Sequence, residues 1–379
     1  MNCPLNRTPE LPPPSSTDEQ WMLHAIAQAR KGEGLTRPNP PVGAVLVKNG
    51  YLLAEGFHPK AGSPHAEIVV LTTAGGQAHG ADLYVTLEPC STWGRTPPCT
   101  DAIIRAGIRR VIAGTTDPNP KHAGRGFQLL REANVAVSVG VREPECRALI
   151  EPFAMLQRDS RPFVTLKLGM SLDGRLADMY GRSRWITGAA ARSQVHALRR
   201  RVDGILIGRE TALQDDPSLL PNPADGRTPW RIVLDPHGRL PMQLKLFSDA
   251  HRQQTIVFLG PEAPEPYRKA LETRGVNCET LPTQNGRFRM RCVLRALGAR
   301  ELLHVLCEGG GVLAAALLAE NLVDEAWYFI APKLLGSEGR PAVGGPGWPL
   351  ADAPNWRILD VQMLPPDVWI RARPQREEE

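Results

Sequence analysis

Four residues with metal-binding or acid–base side chains lie in two short segments of the chain, HAE and PCSTWGRTPPC. His65 offers one imidazole, and Cys90 and Cys99 offer two thiolates. Three such ligands, with a fourth position open for water, are what a catalytic zinc site requires. Nucleobase deaminases carry a His-x-Glu and a cysteine pair of this kind. The sequence therefore predicts a zinc-dependent hydrolytic deaminase in which Glu67 moves protons from water to the departing ammonia.

The secondary structure predicted around these residues brings them to one point. Ser63 and Pro64 indicate a helix that begins at residue 64, and the second cysteine begins another helix at residues 98–106. Side chains two residues apart on a helix point about 200° apart, so His65 and Glu67 can share an ion only beyond the helix N-terminus. Two positive helix ends would then face one metal and stabilise its thiolates.

The order of the remaining elements predicts two α/β domains. Asn49-Gly50 separates two apolar runs and predicts a hairpin, because both residues tolerate positive φ. The alternation around it predicts a mixed sheet with helices on both faces. In the second half we predict helices at residues 189–200, 265–274 and 312–320 and strands at residues 163–168, 204–207, 231–235, 255–259, 302–306, 325–330 and 368–372. The predicted division is a disordered leader at residues 1–16, a deaminase domain at residues 17–158 and a second domain at residues 159–379.

Composition and charge argue against several classes of protein. The net charge of +5 arises from interspersed charges and aromatic residues make up only 6% of the chain, so no dedicated nucleic-acid surface is indicated. Seven scattered cysteines do not form the pattern of a secreted disulfide scaffold and favour a reducing, cytoplasmic location. No apolar run is long enough to span a membrane, and residues 1–16 lack the apolar stretch of a secretory signal.

Several segments resemble the bifunctional riboflavin-biosynthesis family, which joins a pyrimidine deaminase to a reductase. RPNPPVGAVLV, GFHPKAGSPHAE, YVTLEPCSTWGRTPPC and DPNP resemble the deaminase half. LKLGMSLDGRLA, SRWITG, DDPSLL, CEGGGVLAAALL and APKLLG resemble the reductase half, and the order of the motifs is intact. The specific feature is the spacing of eight residues between Cys90 and Cys99, which base deaminases acting on cytidine or adenosine lack.

The resemblance implies a fold, two cofactors and a reaction sequence. The fold is a cytidine-deaminase-like mixed sheet with flanking helices, followed by a dihydrofolate-reductase-like α/β domain. The first domain would use Zn²⁺ to hydrolyse the amine of a diamino-ribosylamino-pyrimidinone phosphate. The second would use NADPH to reduce the ribosyl group to ribityl. The expected partner is a small phosphorylated pyrimidine, with no nucleic acid and no membrane, and a homo-oligomer is common in the family.

The resemblance also implies site residues, carried over at matching positions. The substrate contacts of the deaminase half fall on Asn39, His58, Arg95 and Asp117. Those of the reductase half fall on Ser183, Arg199, Leu219 and Glu308. The dinucleotide contacts fall on Gly169, Trp185, Thr211, Asp215, Gly310, Gly311, Val312 and Leu313. Without the resemblance, each of these residues also has a simpler explanation. The polar residues could be ordinary loop positions, and Arg199 could lie on the surface at the end of a helix. Trp185 could be a core residue, and the glycines could form a turn that binds no ligand.

Two positions depart from the family pattern. The family commonly has a histidine at the position of Thr92, and an arginine for the substrate phosphate where this chain has Leu220-Pro221-Asn222. Arg227 is close enough in the sequence to replace that arginine. Two alternatives therefore stay open: a nucleic-acid base deaminase with an accessory domain, and a deaminase whose reductase-like domain is not catalytic. The low aromatic content argues against the first, and only an assay of NADPH consumption decides the second.

Overall fold

The chain forms two compact units, Met1–Gln157 and Arg158–Glu379, in the computed structural model. The structure describes residues 16–93, 97–120, 122–223 and 228–375. The predicted leader, apart from Ser16, lies outside these residues, and so do Arg95 and Arg227. Within the described ranges, no helix combines the length and the apolar character needed to cross a membrane.

The first unit contains a mixed sheet with helices on both faces. Within its described residues the strands are β1 (Gly43–Lys48), β2 (Tyr51–Phe57), β3 (Asp82–Leu87), β4 (Arg110–Thr115) and β5 (Ala136–Val139). The helices are α1 (Ser16–Arg30), α2 (Ala66–Ala74), α3 (Cys99–Arg105), α4 (Arg125–Glu132) and α5 (Glu143–Asp159). The sheet order is β2-β1-β3-β4-β5, with β1 antiparallel to both neighbours and β3, β4 and β5 parallel. The mixed sheet predicted from the sequence is confirmed.

Two apolar layers hold this unit together, one on each face of the sheet. Helices α2, α3 and α4 cover one face, through buried residues such as Val70, Ile103 and Phe127. Helices α1 and α5 cover the other face, through residues such as Met22 and Cys146. Successive residues of a strand point to opposite faces, so the central strands contribute to both layers.

The local predictions around the first site are confirmed at the hairpin and corrected at α2. Asn49 and Gly50 have φ values of 53° and 80° and form the two-residue turn between β1 and β2. Helix α2 begins two residues later than predicted, because His65, and not Ser63, is its N-cap residue. His65 keeps an extended backbone, with φ −69° and ψ 162°, and Glu67 lies in the first turn. The imidazole therefore lies at the helix end, where a metal can approach it.

The second unit is built on a larger sheet. Its described strands are β6 (Phe163–Ser171), β7 (Arg175–Ala177), β8 (Gly204–Gly208), β9 (Trp230–Leu234), β10 (Thr255–Leu259), β11 (Asn277–Thr280), β12 (Thr283–Gln284), β13 (Arg287–Phe288), β14 (His304–Cys307), β15 (Glu325–Ala331), β16 (Arg340–Pro341), β17 (Trp356–Leu364) and β18 (Asp367–Pro374). Its described helices are α6 (Ala189–Arg201), α7 (Arg209–Asp215), α8 (Lys245–Ser248), α9 (Glu265–Thr273), α10 (Met290–Ala299) and α11 (Gly311–Ala319).

Nine of the described strands form one sheet in the order β11-β10-β9-β8-β14-β6-β15-β18-β17. The strands from β11 to β15 are parallel, whereas β18 and β17 are antiparallel additions at one edge. Helices α10 and α11 cover one face, and α6 to α9 cover the other. Strand β14 shows this division, because Val305 and Cys307 enter the first layer and Leu306 enters the second. The predicted α/β class of this domain is confirmed.

Nine of the described helices and strands of this unit were not predicted from the sequence, and helix α10 and strand β17 are the longest of them. Helix α10 buries Met290, Val293 and Leu297 at helical spacing, and its arginines Arg291 and Arg295 lie on the exposed face. Strand β17 is an edge strand whose residues are almost all exposed, including Val361 and Met363. A strand without a buried face lacks the apolar–polar alternation by which strands are recognised.

Candidate active sites

The zinc ligands predicted from the sequence lie together in the first unit. His65 Nδ1 lies 3.5 Å from Cys90 Sγ and 3.3 Å from Cys99 Sγ. All three ligand atoms lie within 4.8 Å of one another, and neither sulfur is part of a disulfide. Cys90 follows β3, and Cys99 is the first residue of α3. One imidazole and two thiolates gathered at this spacing fit a catalytic zinc ion with an open fourth position.

Burial and the neighbouring sulfur set the charge state of Glu67, which is 3% exposed. Burial, and then the charge of Cys90, raises the pKa of Glu67 to about 7. The pKa of the Cys90 thiol is lowered, because Cys99 and then His65 hydrogen-bond to its sulfur. The backbone N–H of Cys99 also donates to Cys90 Sγ, over 3.3 Å. A buried carboxyl group beside three candidate metal ligands is well placed for proton transfer to and from a reacting molecule.

A cavity of about 360 Å³ lies beside these residues, and Asn39, His58 and Asp117 contribute to its walls. Asn39 Nδ2 donates to His58 Nε2 over 3.0 Å, and His58 Nδ1 donates to the Pro64 carbonyl over 3.1 Å. Burial lowers the pKa of His58, which agrees with this neutral tautomer. Both ring nitrogens of His58 are therefore used, and the side-chain oxygen and the second Nδ2 hydrogen of Asn39 remain for a pyrimidine. Arg95, the fourth residue implied here, lies outside the described residues.

Glu88 is a buried carboxylate of this cavity that was not predicted from the sequence. It accepts hydrogen bonds from the backbone N–H groups of Asp117 (3.1 Å), Gly124 (2.9 Å) and Gly126 (2.8 Å). Glu88 therefore ties the loop that carries Asp117 to the end of β3, two residues before Cys90. Its partners lie 29 to 38 residues further along the chain, so no local sequence signal shows them.

Replacing Cys99 with alanine should release the metal, because only two protein ligands then remain. We expect the zinc content of the purified protein to fall from about one ion per chain to near zero. Cys292→Ala is a matched control, because Cys292 is a free cysteine in the second unit and should leave the zinc content unchanged. Metal analysis that finds wild-type zinc in Cys99→Ala would show that the ligand set is wrong.

The second unit has a cleft of about 560 Å³, next to β6 and the start of α11. The ends of parallel strands are where open α/β sheets bind ligands. Nine of the residues implied for the reductase line this cleft, namely Gly169, Ser183, Trp185, Arg199, Thr211, Asp215, Leu219, Glu308 and Gly310. Gly311, Val312 and Leu313 are not part of the described lining. The structure therefore brings most of the implied substrate and dinucleotide contacts to one place.

Arg199 and Glu308, both implied as substrate contacts, form an ion pair with each other. Arg199 Nε donates to Glu308 Oε1 over 2.6 Å and Nη2 donates to Oε2 over 2.9 Å. The two side chains are 14% and 8% exposed, so the surface position left open for Arg199 is wrong. Burial by itself would raise the pKa of Glu308, but the charge of Arg199 outweighs it and the pKa is lowered. Glu308 is therefore a fixed carboxylate on the cleft wall.

Lys167 lines the same cleft and was not predicted from the sequence. Burial lowers the pKa of Lys167, although the charge of Glu308 opposes this effect. A Cβ atom built on Gly169 would lie 3.5 Å from Lys167 Nζ, so the glycine leaves room beside the amine. Among the hydrogen bonds of the described residues, none comes from Lys167 Nζ, so this amine can donate to a ligand in the cleft.

Trp185 is exposed at the cleft and is not a core residue. Its side chain is 63% exposed, and the guanidinium of Arg192 lies 4.6 Å from the centre of its ring. The guanidinium of Arg184 lies 5.7 Å from the same ring centre. Nearby, Ser183 Oγ donates to Asp215 Oδ1 over 3.1 Å. These residues have the exposed aromatic surface and the polar side chains that a nucleotide requires.

The glycine-rich turn after β14 places fewer residues in the cleft than the resemblance implies. Gly310 is the N-cap residue of α11 and lines the cleft. The side chain of Leu313 belongs to the apolar core, and its N–H donates to the Gly310 carbonyl over 3.0 Å. The side chain of Val312 is 66% exposed. At Gly311 a Cβ would lie 2.3 Å from the Pro341 carbonyl oxygen, so glycine is required there by packing.

Known proteins resemble this chain along nearly its whole length. The family model of the RibD C-terminal domain matches residues 162–370, and that of the cytidine and deoxycytidylate deaminase zinc-binding region matches residues 15–115. The riboflavin biosynthesis protein RibD of Aquifex aeolicus is 43% identical over 321 residues, which is 84% of this chain and 88% of that protein. The chain belongs to the RibD family. As a RibD protein it is a bifunctional deaminase and reductase of riboflavin biosynthesis that uses zinc and NADPH.

Solved RibD structures support the same assignment. RibD of Acinetobacter baumannii has a TM-score of 0.85 and 38% identity, covering 95% of this chain and 99% of that chain. A deaminase/reductase of Thermotoga maritima has a TM-score of 0.85 and 36% identity, with the same coverage. The predicted fold class is therefore confirmed. RibD membership also favours the bifunctional enzyme over a nucleic-acid deaminase and over a non-catalytic reductase-like domain.

Proposed function

We propose that this chain deaminates a diamino-ribosylamino-pyrimidinone phosphate and then reduces the ribosyl group of the product to ribityl. The Thermotoga maritima relative is named as a diaminohydroxyphosphoribosylaminopyrimidine deaminase and a 5-amino-6-(5-phosphoribosylamino)uracil reductase. The observation that carries the first step is the group of His65, Cys90 and Cys99 beside Glu67. We assign this step to residues 17–158 and the reduction to residues 159–379.

Deamination requires an attacking oxygen, a departing nitrogen and a group that moves a proton between them. A zinc ion held by His65, Cys90 and Cys99 would make a water molecule acidic enough to react as hydroxide near neutral pH. The oxygen bonds to the ring carbon that bears the amine, and the carbon–nitrogen bond then breaks with its electron pair on nitrogen. Glu67 takes a proton from the water and passes it to that nitrogen, so that ammonia leaves and the carboxylate is restored. Asn39 and Asp117 hold the substrate in the cavity.

Reduction of the ribosyl group requires a hydride and a proton. Bound NADPH would supply the hydride to the first ribosyl carbon. The bond from that carbon to the ring oxygen breaks with its electron pair on oxygen, and Lys167 donates the proton that completes the new hydroxyl. Lys167 is suited to this role because its amine faces the cleft and burial lowers its pKa, which makes it a readier acid. Water returns the proton to the amine afterwards.

Adding a methyl group at Gly310 should weaken NADPH binding without disturbing the fold. A Cβ there would meet only Thr211 Oγ1, at 3.8 Å, which is an ordinary contact. The methyl group would nevertheless stand at the N-terminus of α11, where we place a dinucleotide phosphate. We expect Gly310→Ala to bind NADPH about tenfold more weakly in a fluorescence titration. Gly208→Ala, which adds a methyl group in open space outside the cleft lining, is the control.

If Gly310→Ala binds NADPH as tightly as the wild type, the phosphate does not lie at this turn.

Four predictions from the sequence concern partners and location. The charge distribution supports the expectation that neither nucleic acid nor membrane is a partner, and the cysteine content supports a cytoplasmic location. A homo-oligomer is expected from the family resemblance.

The proposed function is tested with the purified protein and a synthetic phosphorylated substrate. Zinc content, ammonia release and NADPH oxidation are measured on one preparation. We expect about one zinc ion per chain, with ammonia release that does not require NADPH. NADPH oxidation should begin only after deamination, or at once when the deaminated compound is supplied. Ammonia release from single-stranded nucleic acid but not from the nucleotide would contradict the proposal.

A further inference from the structure

His122 lines the deaminase cavity but takes no part in the chemistry described above. It lies in the loop between β4 and α4, and Thr92 and Asp117 belong to the same cavity lining. His122 Nδ1 lies 3.4 Å from Thr92 Oγ1. The backbone N–H of His122 donates to the Asn119 carbonyl, and its own carbonyl accepts from Arg125, each over 2.9 Å. Backbone hydrogen bonds therefore hold the main chain of His122, and the contact with Thr92 orients its imidazole.

The other two imidazoles of this cavity are already committed. His65 Nδ1 faces the two sulfurs, and His58 uses both ring nitrogens in hydrogen bonds within the protein. His122 is different, because when Nδ1 accepts the hydroxyl hydrogen of Thr92 the ring carries its own hydrogen on Nε2. Within the part of the chain that the structure describes, no protein group accepts that hydrogen.

We propose that His122 is a substrate contact of the deaminase site and donates its Nε2 hydrogen to an oxygen of the ribosyl-phosphate arm. The proposal rests on the proposed deaminase substrate. The reacting amine must lie beside Glu67 and the metal ligands, and the phosphate and ribose oxygens are the strongest acceptors on the rest of the molecule. Asp117, in the same lining, offers an acceptor for a ribose hydroxyl.

This assignment also gives a structural meaning to the departure at Thr92. The residue that replaces the family's usual histidine lies against an imidazole supplied by a different loop. The cavity wall therefore keeps a ring nitrogen donor although position 92 no longer provides one. The hydroxyl of Thr92 orients this donor through the contact with Nδ1.

The test compares His122→Ala and His122→Gln with the wild type in the deamination of the phosphorylated substrate. Glutamine can place an amide N–H near the position of Nε2, whereas alanine cannot. We expect His122→Ala to raise KM about tenfold with little change in kcat, and His122→Gln to recover most of this loss. His24→Gln changes an exposed histidine on α1 and should leave KM unchanged.

Two further readouts separate the causes. Zinc content and NADPH-dependent reduction by the same preparations should stay at wild-type values, which excludes misfolding. If the wild-type enzyme does not deaminate the phosphorylated substrate, the proposed function fails. If it does, the ratio of the KM of the variant to that of the wild type tests the role of His122 by itself.

Substrates that lack part of the arm identify the acceptor. With a dephosphorylated substrate, a KM effect that disappears assigns the contact to the phosphate, and one that remains assigns it to a ribose hydroxyl. An unchanged KM in His122→Ala overturns the proposal. An equal effect on the free diamino-pyrimidinone base, which has no arm, also overturns it.

Discussion

Replacing Glu67 with glutamine should remove deamination and leave the zinc site occupied. Glutamine keeps the size of the side chain and one oxygen acceptor but cannot take a proton from water. A general acid–base group contributes about 10²–10⁴-fold to the rate, so kcat for ammonia release should fall by about that factor. The pKa of Glu67 is raised to about 7 by burial, so an uncharged side chain is readily accommodated at this position. The variant should therefore fold normally.

Ammonia release and zinc content are measured on purified Glu67→Gln, together with reduction of the deaminated substrate in the second cleft. We expect zinc content and reduction at wild-type values. Glu55→Gln is the matched control, because it neutralises an exposed carboxylate on β2 and should leave all three measurements unchanged. Ammonia release near the wild-type rate in Glu67→Gln would show that another group moves the protons.

The metal site could be predicted from the sequence because each ligand stands at a boundary that the sequence marks. Cys90 follows a buried strand, and Cys99 follows Pro97-Pro98 at the start of a helix. The start of α2 was predicted two residues too early, but His65 still lies at the N-terminal end of that helix. Spacing along the chain was therefore sufficient to predict that one imidazole and two sulfurs meet.

The later start of α2 has a physical cause that the sequence does not show. The backbone N–H of Ser63 donates to the Lys60 carbonyl over 3.0 Å, so Ser63 belongs to the preceding turn. The Pro64 carbonyl accepts from His58 instead of from the helix. The first helical hydrogen bond of the segment therefore runs from Val69 N–H to the His65 carbonyl, over 3.0 Å.

The reductase cleft could be predicted only in part, because its key contacts join distant segments. Arg199 and Glu308 are 109 residues apart, and their ion pair changes Arg199 from a helix-end residue to a buried one. Lys167 stands among apolar strand residues, where the sequence indicates only a core strand. Leu313 differs from Arg199 and Lys167, because its motif resembles the family while its side chain packs into the core. A motif identifies a segment but not which of its atoms face the ligand.

Replacing Lys167 with methionine should abolish reduction and leave deamination intact. Methionine keeps much of the length and apolar stem of lysine but carries no proton for the ring oxygen. We expect kcat for NADPH oxidation with the deaminated substrate to fall about 10²–10⁴-fold. Lys269→Met is the matched control, because it changes an exposed lysine on α9. Zinc content and ammonia release are measured on the same preparations and should not change.

Lys167→Arg separates proton donation from charge, because arginine keeps the positive charge but does not release its proton in proteins. If Lys167 is the acid, the arginine variant should restore a near wild-type KM for the deaminated substrate while kcat stays low. If Lys167 only attracts the phosphorylated substrate, arginine should restore kcat as well. Recovery of kcat in Lys167→Arg, or reduction at the wild-type rate by Lys167→Met, would therefore show that another group in the cleft donates the proton. The lowered pKa of Lys167 would then be a result of its burial without a role in catalysis.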